Sequence, residues 1–144
     1  MTAENMRTIE NMFHAWQADD AAPWHWRWNV VEYLASQTDP KKYGVEGFYV
    51  IGSTKNASAG SGSDIDLLLH IRGTSQQRHA LESWLANWSI YLDELNYQYT
   101  GYRAGGLLDV HIVTDADIDQ QTSFACKIGA VNDAARRLPM MCDA

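Results

Sequence analysis

The chain predicts a single-domain α/β (α+β) fold, a mixed β-sheet packed with helices. Three observations carry that expectation. Apolar side chains recur at helical spacing near the N-terminus and again over Leu81–Leu95. Short apolar, β-branched runs at Val45–Ile51, Ile65–Ile71 and Leu107–Val113 read as strands. The 144 residues are 46% apolar and 20% charged, the composition of one globular domain. A chain of this length buries roughly two thirds of its unfolded surface and needs no disulfide framework to fold.

The elements follow in order, with residues 1–144 as one domain. Residues 1–38 form an N-terminal helical segment. Ala3–Ala18 places Met6, Ile9, Phe13 and Trp16 on one face, and Asp19–Ala22 breaks it. Pro23 suits the first turn of a second helix, which runs to about Gln37 with Trp24, Trp28, Val31 and Leu34 on one side. Asp39-Pro40 and Gly44 end it. Gly52–Ser63 is rich in serine and glycine and reads as a loop. In Ile65–Ile71, Ile65, Leu67, Leu69 and Ile71 alternate with Asp64, Asp66, Leu68 and His70, which puts both aspartates on one face. Thr74 and Gln77 form a capping box for a helix carrying Leu81, Trp84, Leu85, Trp88, Leu92 and Leu95. Tyr97–Arg103 reads as a further strand. Leu107–Val113 sets Asp109 and His111 on one face and Leu108, Val110 and Ile112 on the other. A C-terminal helix over 120–138 is expected to pack Phe124, Ile128, Val131 and Ala135. The three main strands should lie together at the centre of the sheet.

Charge and composition narrow the function classes. Eleven Lys and Arg against 18 Asp and Glu give a net charge of −7, which argues against a protein built to coat nucleic acid. Cys126 and Cys142 are too few for a disulfide scaffold and lack metal-ligand spacing. Cys126 is expected to pack within the last helix. No apolar leader and no apolar run of spanning length is present, so a cytoplasmic location with no membrane association is the expectation. Asp115, Asp117 and Asp119 mimic the start of a calcium loop. Gln120 stands where its glycine belongs and Cys126 where its glutamate belongs, so these acids read as helix caps.

The chemistry concentrates in Gly52-Ser53, a ten-residue spacer, Asp64-Ile65-Asp66-Leu67, and the later Asp109. A Gly-Ser turn after a strand allows close backbone approach to phosphate oxygens. Aspartates at i and i+2 present two carboxylates that repel each other alone but suit hard divalent cations. A third carboxylate on a neighbouring strand completes a site for two Mg²⁺ ions, one activating an attacking hydroxyl and one holding a triphosphate.

The segments GSTKNASAGSGSDIDLLLHI and LLDVHIV resemble the nucleotidyltransferase superfamily related to DNA polymerase β. The resemblance spans about Val45–Thr114. It implies a nucleotidyltransferase fold, with Asp64, Asp66 and Asp109 as catalytic metal ligands. It further implies Gly52, Ser53, Lys55 and Ser63 as nucleotide-binding residues. The stretch after Val113 is too short for the extra helical domain of larger members, so the chain looks like the minimal nucleotidyltransferases. These include antitoxin-like proteins that adenylylate a helical partner of the HEPN type. Minimal members often carry Arg or Lys three residues after the motif serine, where this chain has Asn56, with Lys55 one position earlier.

The expected activity is Mg²⁺-dependent transfer of a nucleoside monophosphate from an NTP, ATP first among them. The acceptor is a hydroxyl: a protein tyrosine or serine, an RNA end or a small molecule. NTP is the primary partner, with a HEPN-type protein or a second copy of the chain as candidate macromolecular partners and nucleic acid least favoured. The alternative is a catalytically silent nucleotide-binding or regulatory module of the same fold. A third reading is a metal-dependent phosphohydrolase with His70 or His111 as ligands. Trp24, Trp26 and Trp28 cannot share one helix face, which leaves base stacking open to one of them.

Overall fold

The computed structural model describes residues 1–19, 23–58, 60 and 62–141. Asp20–Ala22, Cys142 and the side chain of Trp24 therefore lie outside the described residues. Two helices, α1 (Ala3–Asp19) and α2 (Pro23–Ser36), precede a short α3 (Pro40–Tyr43) and strand β1 (Val45–Ile51). A helical turn α4 (Gly52–Lys55) leads to β2 (Ile65–Ile71), the long α5 (Ser75–Thr100) and β3 (Leu108–Val113). The chain closes with α6 (Asp115–Gln120), a 3₁₀ turn (Ala125–Lys127) and β4 (Arg136–Leu138). The sheet order is β3-β2-β1-β4, with β2–β3 parallel and both pairings of β1 antiparallel.

Local chemistry places the boundaries. Asp39 accepts from the amides of Lys41 and Lys42 and so caps α3, while α2 has already ended at Ser36. Gly44 closes α3 in the left-handed conformation, φ 68°. Thr74 and Gln77 form the capping box expected of them. Gln77 Nε2 also donates to the carbonyls of Lys41 and Lys42, which ties the start of α5 to the end of α3.

The main core lies between one sheet face and the three long helices. Phe48, Val50, Ile65, Leu67 and Leu69 from the sheet meet Ile9 and Phe13 of α1, Trp26, Val30 and Leu34 of α2, and Leu81, Trp88 and Leu92 of α5. The opposite face is covered more thinly. Ile51, Leu68, Val113 and Ala125 are buried there, with half-buried Ile118, Ile128 and Ala135 around them. The mixed sheet packed with helices matches the sequence-based expectation, with the three long helices on one side.

Four features differ from it. β3 is an edge strand, not a central one, because β4 takes the far side of β1. Tyr97–Arg103 is not a strand. α5 runs on to Thr100, since Leu95, Asn96 and Tyr99 continue its packed stripe and Tyr99 stacks on Phe13 at 5.3 Å between centroids. Gly101, φ 80°, then caps the helix. The helix over 120–138 does not form. Gln121 ends α6 at φ 51°, and Gly129 and Asp133 also take positive φ, so helical hydrogen bonding cannot propagate. Ile128 and Ala135 still pack on the protein, but Phe124 is 37% exposed, Val131 is 99% exposed and Cys126 lies exposed in the 3₁₀ turn. Finally, the Gly52–Ser63 loop opens with the helical turn α4.

One buried polar side chain organises the approach to β2. Arg27 of α2 is fully buried and lies over the Trp26 ring at 4.3 Å. Its Nε and Nη2 donate to the Ser63 carbonyl at 3.2 and 2.8 Å. Burial lowers its pKa to about 10, an effect the Asp64 charge opposes, so the guanidinium stays charged at neutral pH. Arg27→Met keeps the aliphatic stem but leaves the Ser63 carbonyl without that donor. A loss of about 1–3 kcal/mol is expected, read as a lower urea midpoint at unchanged slope.

Candidate functional site

The site forms where β2 and β3 run parallel. Ile65 N–H donates to the Leu107 carbonyl at 2.7 Å, which opens the ladder and sets its register. Asp66 then falls directly opposite Asp109, and Leu68 opposite His111. Side chains of a strand alternate, so Asp66, Asp109 and His111 project from the same, thinly covered face of the sheet. One ligand atom from each lies within 4.8 Å of the other two. His111 Nε2 stands 3.4 Å from Asp109 Oδ2 and 3.9 Å from Asp66 Oδ1. The imidazole stacks on Phe124 at 3.8 Å with 16° between the planes, which fixes the orientation of the ring.

Gly52 stands against this group. It follows Ile51, whose register partner is Asp66, and has φ +72°. A Cβ there would lie 2.5 Å from Asp66 Oδ2. The sequence assigns this glycine the task of admitting a phosphate, whereas the crowding atom in the structure is the site's own carboxylate.

The carboxylates perturb one another. Partial burial raises the Asp66 pKa to about 6, reinforced by the charge of Asp64 and by the hydrogen bond and charge of Asp109, with His111 opposing. Between the ordinary carboxyl value and about 6, the native chain holds a proton that the unfolded chain has released. Stability therefore falls as pH rises through that window, and the cost is complete above it.

The remaining expected site residues are dispersed. Asp64 precedes β2 and is not one of the three clustered ligands, though its charge reaches both Asp66 and Arg27. The Ser63 hydroxyl accepts from the Gly60 amide at 3.0 Å, which shapes the turn before Asp64. Ser53 lies in α4, and its carbonyl accepts from the Ser58 amide at 2.9 Å. Lys55 donates to Asp133 Oδ1 at 2.6 Å and to the Ala134 carbonyl at 2.8 Å. This ion pair holds the Asp133 carboxyl below its ordinary pKa and commits Lys55 to the C-terminal segment. His70 is also committed, 2.6 Å from Asp115 Oδ1, an oxygen it shares with Arg72. The acids Asp115 and Asp117 serve α6 as first-turn residues, and Asp117 completes a capping box with Thr114.

Two contributors escape the sequence reading. Arg27 reads as one cation on an aromatic-rich helix, and nothing local announces its reach to Ser63. Phe124 reads as a core position of a helix, whereas it backs His111. His111 itself was legible by parity, since it shares a strand face with Asp109.

Two outcomes follow for the metal-free protein. Asp66→Asn removes the charge that folding disfavours. It should raise stability above pH 7 by about 1 kcal/mol, less than a shift of this size converts to, because a quarter of the side chain is open to screening water. The advantage should vanish near pH 4 in urea titrations taken across pH. Gly52→Ala strains a left-handed backbone position and displaces the Asp66 carboxylate. A loss of about 1–2 kcal/mol is expected, together with a smaller thermal stabilisation by added divalent cation.

No helix among the described residues is long and apolar enough to cross a membrane. Comparisons with family models, with curated proteins and with solved structures return no match to this chain.

Proposed function

We propose that this chain is a divalent-metal-dependent nucleotidyltransferase, moving a nucleoside monophosphate from an NTP, ATP first, to a hydroxyl acceptor. The observation that carries this reading is the register pairing of Asp66 with Asp109 across parallel strands, beside a turn opened by Gly52. Clustered carboxylates at a positive-φ glycine are costly for folding alone and gain their use from a cation and a phosphate.

The residues fit a divalent cation by the chemistry of their donors. Asp66 and Asp109 would hold it, with Asp64 close enough to add charge. When bound, such an ion lowers the pKa of the acceptor hydroxyl and neutralises phosphate charge. The acceptor oxygen forms a bond to the α-phosphorus, the bond to the β-phosphate oxygen breaks, and pyrophosphate leaves. Asp109, with half of its side chain exposed, is the carboxylate open to the incoming hydroxyl and its proton. The amides and hydroxyl of α4 at Ser53 supply neutral donors for the triphosphate, since Lys55 is engaged elsewhere. With a net charge of −7, we favour an acceptor on a protein or a small molecule over free nucleic acid. A HEPN-type helical protein is the first macromolecule to try.

The test uses purified protein, Mg²⁺ or Mn²⁺ and cell lysate with ATP labelled at the α- or the γ-phosphate. Label should transfer from α-labelled ATP alone, and Asp66→Asn or Asp109→Asn should reduce it by at least about 100-fold, some 2.7 kcal/mol of barrier. Full transfer by either variant, or transfer only from the γ-position, overturns the reading.

A further inference from the structure

We infer that His111 is a third metal ligand, which makes the centre a mixed nitrogen–oxygen site for a first-row cation of the Mn²⁺–Zn²⁺ class. The inference rests on the metal site of the proposed function but not on the transfer reaction.

Three observations carry it. The first is spacing. Atoms about 2.1 Å from a common ion stand roughly 3.0–3.4 Å apart when adjacent in octahedral or tetrahedral geometry. His111 Nε2 is 3.4 Å from Asp109 Oδ2, within that range, and 3.9 Å from Asp66 Oδ1, a distance that a side-chain adjustment of about half an ångström brings to ligand spacing. The second is a contrast within the same sheet. His70 and Asp115, a histidine and a carboxylate free to pair, close to 2.6 Å. His111 instead stands 3.4 and 3.9 Å from two carboxylates and closes on neither, so its Nε2 remains directed at both. The third is orientation. Phe124 stacked on the ring fixes its plane, Nε2 is the ring atom that faces the carboxylates, and strand parity leaves His111 on their face.

The donor set then determines the preference. Magnesium favours oxygen ligands and retains water, whereas imidazole suits the first-row transition ions. Replacing one carboxylate of an all-oxygen site by imidazole therefore shifts the order toward manganese and zinc. Asp64, outside the cluster, contributes charge to the centre.

Mn²⁺ bound to the full chain without nucleotide is the probe, read by electron spin-echo envelope modulation. Directly bound imidazole should give ¹⁴N modulation in the wild-type protein. The modulation should be lost in His111→Gln and retained in His70→Gln. In parallel titrations His111→Gln should lose at least about tenfold in Mn²⁺ and Zn²⁺ affinity, the loss that removing even an outer partner of a ligand produces. Its Mg²⁺ affinity should change less than about twofold, because magnesium relies on oxygen ligands. Selective ¹⁵N labelling of histidine replaces the ¹⁴N signature in the wild-type chain, so the outcome does not depend on a variant that folds poorly. Absence of nitrogen modulation with Mn²⁺ bound, modulation unchanged in His111→Gln, or failure of Mn²⁺ to bind each overturn the inference. Nitrogen modulation without nucleotidyl transfer leaves the inference standing and removes the transferase reading. Transfer without nitrogen modulation does the reverse.

Discussion

Parallel pairing of β2 with β3 is the constraint on which the site depends. Parallel neighbours cannot be joined by a tight turn and require a long crossover. Here α5 supplies it, 26 residues between Gly73 and the Gly101–Gly106 return. The helix is held at its start by the Thr74–Gln77 box and near the return by Ser89, whose hydroxyl accepts from Leu108 N–H at 3.0 Å. Once Leu81, Trp88 and Leu92 are buried, little freedom is left for the register of β3. A slip of one residue would send Asp109 and His111 into the helix-packed core and Val110 to the opposite face. Burial of Leu67 and Leu69 imposes the same condition on β2.

Clustering of like charges works against the fold, and the structure limits the penalty without removing it. Asp66 answers by holding its proton to about pH 6. Arg27, committed to the Ser63 carbonyl, lends a positive field to Asp64 from within the core. His111 offers an imidazole that lowers the Asp66 pKa against the other influences. A divalent cation would offset the repulsion between Asp66 and Asp109 while accepting His111 as a donor, which is the basis for proposing a metal site here.

The C-terminal segment has a structural role that its irregular backbone conceals. α6 and the 3₁₀ turn bring Ile118, Ala125 and Ile128 over Leu68 and Val113 and so cover the second sheet face. Phe124 steadies His111 from this segment, while Lys55 reaches across to Asp133 and Ala134. The two elements flanking the carboxylates, α4 and the C-terminal segment, are thereby bound to each other. Irregular backbone suits this task because positive-φ turns at Gln121, Gly129 and Asp133 redirect the chain every few residues.

The sequence by itself determined strands β1, β2 and β3 and most of the three long helices, but neither β4 nor the last turn of α5. Alternation in Ile65–Ile71 and Leu107–Val113 is a local signal, as are the Thr74–Gln77 box and the Pro23 start, because each arises from neighbours in the chain. It also placed Asp66 and Asp109 as candidates, since each interrupts an apolar strand with a charge. Only the tertiary structure decided the rest. Tyr97–Thr100 became helix because Tyr99 could stack on Phe13, a contact invisible to local β-propensity. Residues 121–138 gave up helical periodicity because positive-φ turns at Gln121, Gly129 and Asp133 redirect the chain and leave Ala125, Ile128 and Ala135 on the second sheet face. The membership of the cluster was likewise a tertiary outcome. Asp64 stands just ahead of β2 and outside the three-residue group, Lys55 turns to Asp133, and His111 enters. Register between strands far apart in sequence is set by packing of the whole core, so no spacing along the chain could specify which three ligands converge.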